Sequence, residues 1–170
     1  NLVFGLLKNS INVNGLSADD MDNLKVSSTY QTSDGIRMIY LQQTYKGIPV
    51  FNKMQVLAFK NGKLVSQTGG RVQHISQLVN LSNAVPVTSA EYAVRAALAD
   101  QKLDAPGIII AQEQTSYKKV FGDLGIAKSP VIAELVWLPV NDKEVRLTWQ
   151  IELAPLKSPD HSRIRVDAVN

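Results

Sequence analysis

The sequence predicts an α+β fold in which antiparallel sheet dominates and helix is confined to short stretches. Three observations carry that expectation. Strand-like runs in the first half are joined by short Gly-containing turns, one capped apolar helix stands near the middle, and apolar/polar alternation marks residues 145–153 in the last third. Strands and helices are therefore segregated rather than alternating, which argues against a doubly wound parallel sheet. With 170 residues, 45% hydrophobic and 19% charged, the chain has enough apolar surface for one ordinary domain or two small subdomains sharing a core.

The elements follow in order. Leu2, Val3, Leu6 and Leu7 fall at helical spacing and predict a short amphipathic helix. Ser17 predicts a second helical turn, with Asp20 at its positive end and Leu16 placed against Met21. Residues 25–31, rich in Val, Thr, Tyr and Ser, read as a strand. Asp34-Gly35 reads as a hairpin turn, because Gly accepts the positive φ such turns need. A long strand over 36–45 ends at Lys46-Gly47. Pro49 opens the next strand, where its missing N–H does least harm, and that strand runs to about Lys60. Asn61-Gly62 is the strongest hairpin signal, and residues 63–73 return. The result is a meander of about four antiparallel strands.

A polar connector from His74 to Asn83 leads to the helix, where Thr88 and Glu91 are spaced as a capping box. Ala90, Val94, Ala97 and Leu98 form its apolar stripe, which ends near Lys102. Ile108-Ile109-Ile110 predicts a short strand and residues 131–140 a longer one, with a turn at Asn141-Asp142-Lys143. Val145, Leu147, Trp149, Ile151 and Leu153 then alternate with Arg146, Thr148, Gln150 and Glu152, the mark of a sheet with one buried face. Ile164, Val166 and Ala168 supply the closing strand. Trp137 and Trp149 are expected in the core.

Composition excludes several kinds of chemistry. There is no cysteine, hence no disulfide, thiolate or cysteine-ligated zinc. The net charge of +3 is spread over scattered Lys and Arg, with Lys118-Lys119 as the densest cluster, too short for a nucleic-acid footprint. No apolar stretch reaches the roughly 20 residues that span a bilayer. The chain starts at Asn1 rather than Met and stops at Asn170 without a charged tail. Both ends read as cut, with an export signal expected to have been removed upstream.

Reactive groups are equally sparse. The two histidines, His74 and His161, are far apart in sequence, lie in expected loops and belong to no H-E-x-x-H run. No G-x-S-x-G elbow is present. Asp19, Asp20 and Asp22 lie at a predicted helix start, where they suit the helix dipole. Gly69-Gly70 has neither the spacing nor the following helix of a phosphate cradle. No catalytic residue, metal or cofactor is expected, and the chain reads as a non-enzyme.

One stretch goes further. Gln43-Thr44-Tyr45-Lys46-Gly47-Ile48-Pro49-Val50-Phe51, then a strand, then Asn61-Gly62-Lys63, resembles the fungalysin/thermolysin propeptide (FTP) domain. That family's hallmark runs Q-x-Y-x-G-I-P-V-F/Y, a strand, and a Gly turn, and every fixed position is matched. The last third is similar to the end of fungalysin pro-regions. There a strand like Leu135-Val136-Trp137-Leu138-Pro139 pairs with one like Arg146-Leu147-Thr148-Trp149, and Val166-Asp167-Ala168 closes the region. In that family a Gly usually follows shortly after V-D-A; here the chain ends first.

The resemblance implies an FTP-like propeptide subdomain over 1–80 and a C-terminal propeptide subdomain over 84–170, a helix on antiparallel sheet of cystatin/PepSY-like form. It implies a secreted or periplasmic pro-region that chaperones and inhibits a zinc metalloprotease catalytic domain, in the same precursor or in trans. Protein contact is expected at Tyr45, Lys46, Gly47, Ile48, Pro49 and Phe51 and at Arg163, Arg165 and Asp167. Gln43, Val50, Gly62, Leu135, Pro139, Leu147, Trp149, Val166 and Ala168 are expected to shape the fold. A free-standing exported binding or inhibitor module is the alternative, and a small-molecule carrier with a pocket between helix and sheet is a third.

Overall fold

The computed structural model describes Gly5 and residues 21–170. The two helical segments expected from Leu2–Leu7 spacing and from Ser17 rest on residues outside the described ones. The chain divides at Ile75/Ser76 into two compact units. Mixed secondary structure, mostly strand with antiparallel pairing inside each unit, makes the class α+β.

The first unit holds a meander of four strands: β1 (Leu24–Gln31), β2 (Ile36–Tyr45), β3 (Ile48–Lys60) and β4 (Lys63–Gly69). Each neighbour pair is antiparallel and follows sequence order. The turns form where the sequence puts them. Gly35 has φ 82°, Lys46 and Gly47 have 50° and 80°, and Asn61 and Gly62 have 50° and 76°. Two successive positive φ values give the turn twist that matches right-handed strands. One face of the meander buries Leu24, Ile39, Leu41, Leu57 and Phe59, with Met21, Val26 and Leu64 packed against them. On the other face Tyr30 and Tyr40 stack with ring centroids 6.0 Å apart.

The returning strand is shorter than the sequence suggests, ending at Gly69 and not Gln73. Gly69 has φ 83°, and a Cβ there would collide with the Met54 carbonyl oxygen, so only glycine lets β4 leave the ladder so closely. Past it, the chain is caught by Gln43. The Gln43 Nε2 donates to the Val72 carbonyl at 2.8 Å, and its Oε1 accepts from the Val72 N–H at 2.8 Å. This side chain is only 2% exposed.

The second unit is a five-stranded antiparallel sheet in the order β5 (Glu113–Gln114), β6 (Lys118–Val120), β7 (Ile132–Asn141), β8 (Glu144–Leu153), β9 (Ser162–Asp167). The helix α2 (Ala90–Asp100) packs on β7, β8 and β9 and buries Ala90, Ala93, Val94, Ala97 and Leu98. A short helix α1 (Ile75–Leu78) precedes it, within what the sequence presents as a polar connector. The alternation read from β8 holds: Val145, Leu147, Trp149, Ile151 and Leu153 are all buried. Cross-strand partners Leu135↔Trp149 and Trp137↔Leu147 share that face.

Two sequence expectations fail here. The helix is capped by Ser89, whose Oγ accepts from the Tyr92 N–H at 3.1 Å, and not by Thr88. Both residues can cap, but Thr88 is already committed to the end of β9, and Glu91 pairs with Lys119 at 2.9 Å instead of closing a box. The run Ile108-Ile109-Ile110 is no strand: Ile109 is buried while its two neighbours are 76% and 69% exposed, in irregular backbone. Three branched residues carry strand propensity, but propensity needs a partner strand to be realised.

The Gln43 bond pair makes a direct prediction. Gln43→Ala strips both backbone groups of Val72 of their partner, so chemical denaturation of the chain is expected to show a loss of about 1–3 kcal/mol.

Candidate functional site

The motif 43–51 forms the turn end of the β2–β3 hairpin. Tyr45 and Ile48 pair across the turn, and Thr44 pairs with Pro49. The next pair in register is Gln42↔Met54, so β2 advances two residues while β3 advances five. The three extra residues leave the ladder as a bulge. Asn52, at φ 54°, makes the left-handed step that a short polar side chain tolerates best.

Gln42 ties the bulge down. Its Nε2 donates to the carbonyls of Gln43 (2.8 Å), Val50 (2.8 Å) and Lys53 (3.2 Å). Backbone oxygens that leave a ladder require such replacement partners. The consequence for side chains is clear. Ile48 and Val50 stay fully buried, Pro49 and Tyr45 are half-buried, and Lys46, Gly47 and Phe51 face outward. A large aromatic, 37% exposed, thus sits on a braced bulge beside a two-residue turn.

Sequence reasoning placed Tyr45, Lys46, Gly47, Ile48, Pro49 and Phe51 at one turn, and the structure brings them together there. It missed Gln42 and Asn52, which make the bulge. The only available signal was the polar pair Asn52-Lys53 inside an apolar strand run.

The second expected surface, Arg163, Arg165 and Asp167, lies on β9 in the other unit. These three alternate residues share one face of the sheet, opposite Glu152, Gln150 and Thr148. Arg163 donates to Glu152 at 3.0 Å and Arg165 to Gln150 at 3.1 Å. Asp167 is bound on several sides. Its Oδ2 accepts from Arg146 Nε at 2.6 Å, and its Oδ1 accepts from the Val169 N–H (2.8 Å) and the Asn170 N–H (3.3 Å). Arg146 also bonds Glu144 at 2.8 Å. Partial burial pushes the Asp167 carboxyl up. The Val169 N–H, the Arg146 guanidinium and the Asn170 N–H outweigh that and hold it below the usual carboxylate range. The same carboxylate raises the Arg146 guanidinium further above its already high value. Burial, and then the charge of Arg163, lower that of Arg165.

Leu135, Leu147, Trp149, Val50 and Ala168 are buried, and Gly62 makes its positive-φ turn. Pro139 lies in β7 opposite Val145, and Val166 opposite Trp149. Ala168 joins three segments: its N–H donates to the Leu147 carbonyl (2.9 Å), and its carbonyl accepts from the N–H groups of Val87 (2.8 Å) and Thr88 (3.0 Å). Trp149 Nε1 donates to the Thr88 carbonyl at 2.9 Å. The V-D-A ending therefore fastens the start of α2 to the sheet.

Among the described residues no group of three His, Cys, Asp or Glu side chains converges, and His74 and His161 are exposed in loops. No helix among them is long and apolar enough to cross a membrane.

In comparison with known proteins, residues 22–70 match the family described as Fungalysin/Thermolysin Propeptide Motif. This segment carries that propeptide motif. The chain is also 31% identical over 132 residues, 75% of its own length, to Extracellular metalloproteinase 9 of Coccidioides posadasii (strain C735). It spans 21% of the length of that relative.

The charge network at the end of β9 has a testable pH signature. With its pKa depressed by folding, Asp167 contributes stability that is complete above the unfolded carboxylate value and is lost as pH falls through the lower folded value. Asp167→Asn is expected to cost about 1–2 kcal/mol at pH 7, from loss of charge-assisted bonds. The gap between variant and parent in urea denaturation should close as pH falls below the ordinary carboxylate range.

Proposed function

We propose that this chain is the pro-region of a secreted zinc metalloprotease, acting as chaperone and inhibitor by docking on the catalytic domain. The observation that carries the reading is the propeptide motif over 22–70, together with a likeness to an extracellular metalloproteinase that covers most of the chain. In this reading residues 1–80 form the FTP-like subdomain. Residues 84–170 form the second, whose single helix on antiparallel sheet suits a cystatin/PepSY-like description.

Inhibition of this kind works by shape. A cleft that cuts extended peptides binds them by strand-like pairing, and a rigid projection fills it without presenting a cleavable bond. The turn and bulge at 45–53 have the needed character: backbone braced by Gln42, Phe51 as the apolar anchor, Lys46 and Lys53 flanking it. Residues 22–70 carry six Lys or Arg (25, 37, 46, 53, 60, 63) and two Asp (22, 34), an excess of four positive charges by subtraction. The partner face is therefore acidic around an apolar pocket. Arg163, Arg165 and Asp167 form a second contact, already ordered by Glu152, Gln150 and Arg146 before any partner arrives.

The test is to add the purified chain to a fungalysin-type catalytic domain and follow peptide hydrolysis and refolding yield. Slower hydrolysis and a higher yield are expected. Phe51→Ala should weaken inhibition by about tenfold, the cost of removing one aromatic anchor. Unchanged hydrolysis and yield with the parent chain would overturn the reading.

A further inference from the structure

Large apolar side chains stand exposed on several loops of the second unit, and all but one of those loops are tied down. Val85 and Val87 lie where Val85 N–H bonds Asn83 and Val87 N–H bonds the Ala168 carbonyl. Tyr117 lies where its N–H bonds Thr115 Oγ1 and its carbonyl accepts from Leu135. Leu156 donates its N–H to the Ile126 carbonyl, and Lys128 Nζ holds the Ser158 carbonyl at 2.6 Å.

The segment 108–111 differs. Upstream, Arg95 on α2 grips the carbonyls of Pro106 (3.0 Å) and Gly107 (2.8 Å). Downstream, the Gln112 N–H bonds the Val120 carbonyl at 2.7 Å. Between these anchors, among the described residues, no backbone hydrogen bond is made by Ile108, Ile109, Ile110 or Ala111. Ile108 and Ile110 point outward, 76% and 69% exposed. Only Ile109 is buried.

We propose that this segment is a processing site, at which an endopeptidase with a pocket for large apolar side chains cuts one of the three peptide bonds between Ile108 and Ala111. A protease must draw several residues of substrate into extended form, and an unpaired surface segment opposes this least. The exposed isoleucines fill the specificity pocket. Water adds to the scissile carbonyl carbon and the C–N bond breaks, leaving a carboxylate on one residue and an ammonium on the next.

The cut severs the covalent link between α2 and β5. Residues 76–108 then stay with the sheet through noncovalent ties alone: Asn80 to Val145 and Leu147, Glu91 to Lys119, Gln101 to Ser162, those of Thr88, Trp149 and Ala168, and the packing of α2 on β7 to β9. Losing the tether lowers the effective concentration of helix against sheet, and the unit weakens. Resting on the pro-region reading, the same cut ends inhibition by the C-terminal unit.

The experiment digests the 170-residue chain with a limiting amount of a thermolysin-type endopeptidase and identifies fragments by mass. The first cut within residues 21–170 is expected between Ile108 and Ala111. The double variant Ile108→Ser, Ile110→Ser, which alters only exposed side chains, should be cut there about tenfold more slowly. Its unchanged denaturation midpoint shows that the fold is intact. A first cut elsewhere, or equal rates for the two proteins, overturns the proposal. In parallel, inhibition of a fungalysin-type domain is followed as the digest proceeds. Cutting at 108–111 in a chain that never inhibits sinks the docking reading and leaves the processing site standing; inhibition with a first cut elsewhere does the reverse.

Discussion

The C-terminal unit depends on one fastening, the meeting of Asp167 and Ala168 with the start of α2. A helix that lies on a sheet must be held at its ends as well as along its apolar stripe, because the N–H groups of its first turn have no partners of their own. Here Ser89 caps one of those groups. The residues just before the helix are bonded to the last strand through Thr88 Oγ1, Thr88 N–H and Val87 N–H. Trp149 reaches across from β8 to the same Thr88 carbonyl. Buried aromatic surface and helix position are thus set by one small set of backbone groups, and Asp167 aligns the strand end that supplies them by its bond to Arg146.

The meander answers a different demand with similar means. Swelling β3 by three residues interrupts the ladder, and a single amide, Gln42, shares its two N–H groups among the carbonyls of Gln43, Val50 and Lys53. The bulge pushes Phe51 outward while Ile48 and Val50 keep the core face closed on either side of Pro49. A surface made this way has little backbone freedom left to lose in any contact, since the backbone is already held.

Much of the fold was legible from sequence where local chemistry leaves one solution. Asp34-Gly35, Lys46-Gly47 and Asn61-Gly62 needed left-handed backbone and obtained it. The alternation from Val145 to Leu153 could only be a one-sided strand. The failures share a cause as well. Ser89 rather than Thr88 caps the helix because Thr88 is claimed by a strand 79 residues away. Ile108, Ile109 and Ile110 stay out of the sheet for want of a partner. The two short strands Glu113–Gln114 and Lys118–Val120 exist through pairing with each other and with β7, and no periodicity fits in so few residues. Within the candidate site, the turn was readable and the bulge was not, since it depends on how Gln42 reaches across the hairpin.

Gln43 carries a consequence for how such chains can diverge. Its amide recognises the peptide group of residue 72, never the side chain there. Any L-residue other than proline offers the same N–H and C=O, so this contact itself makes no demand on the side chain at position 72. A signature glutamine without a signature partner is what such an asymmetric contact leaves behind in a lineage.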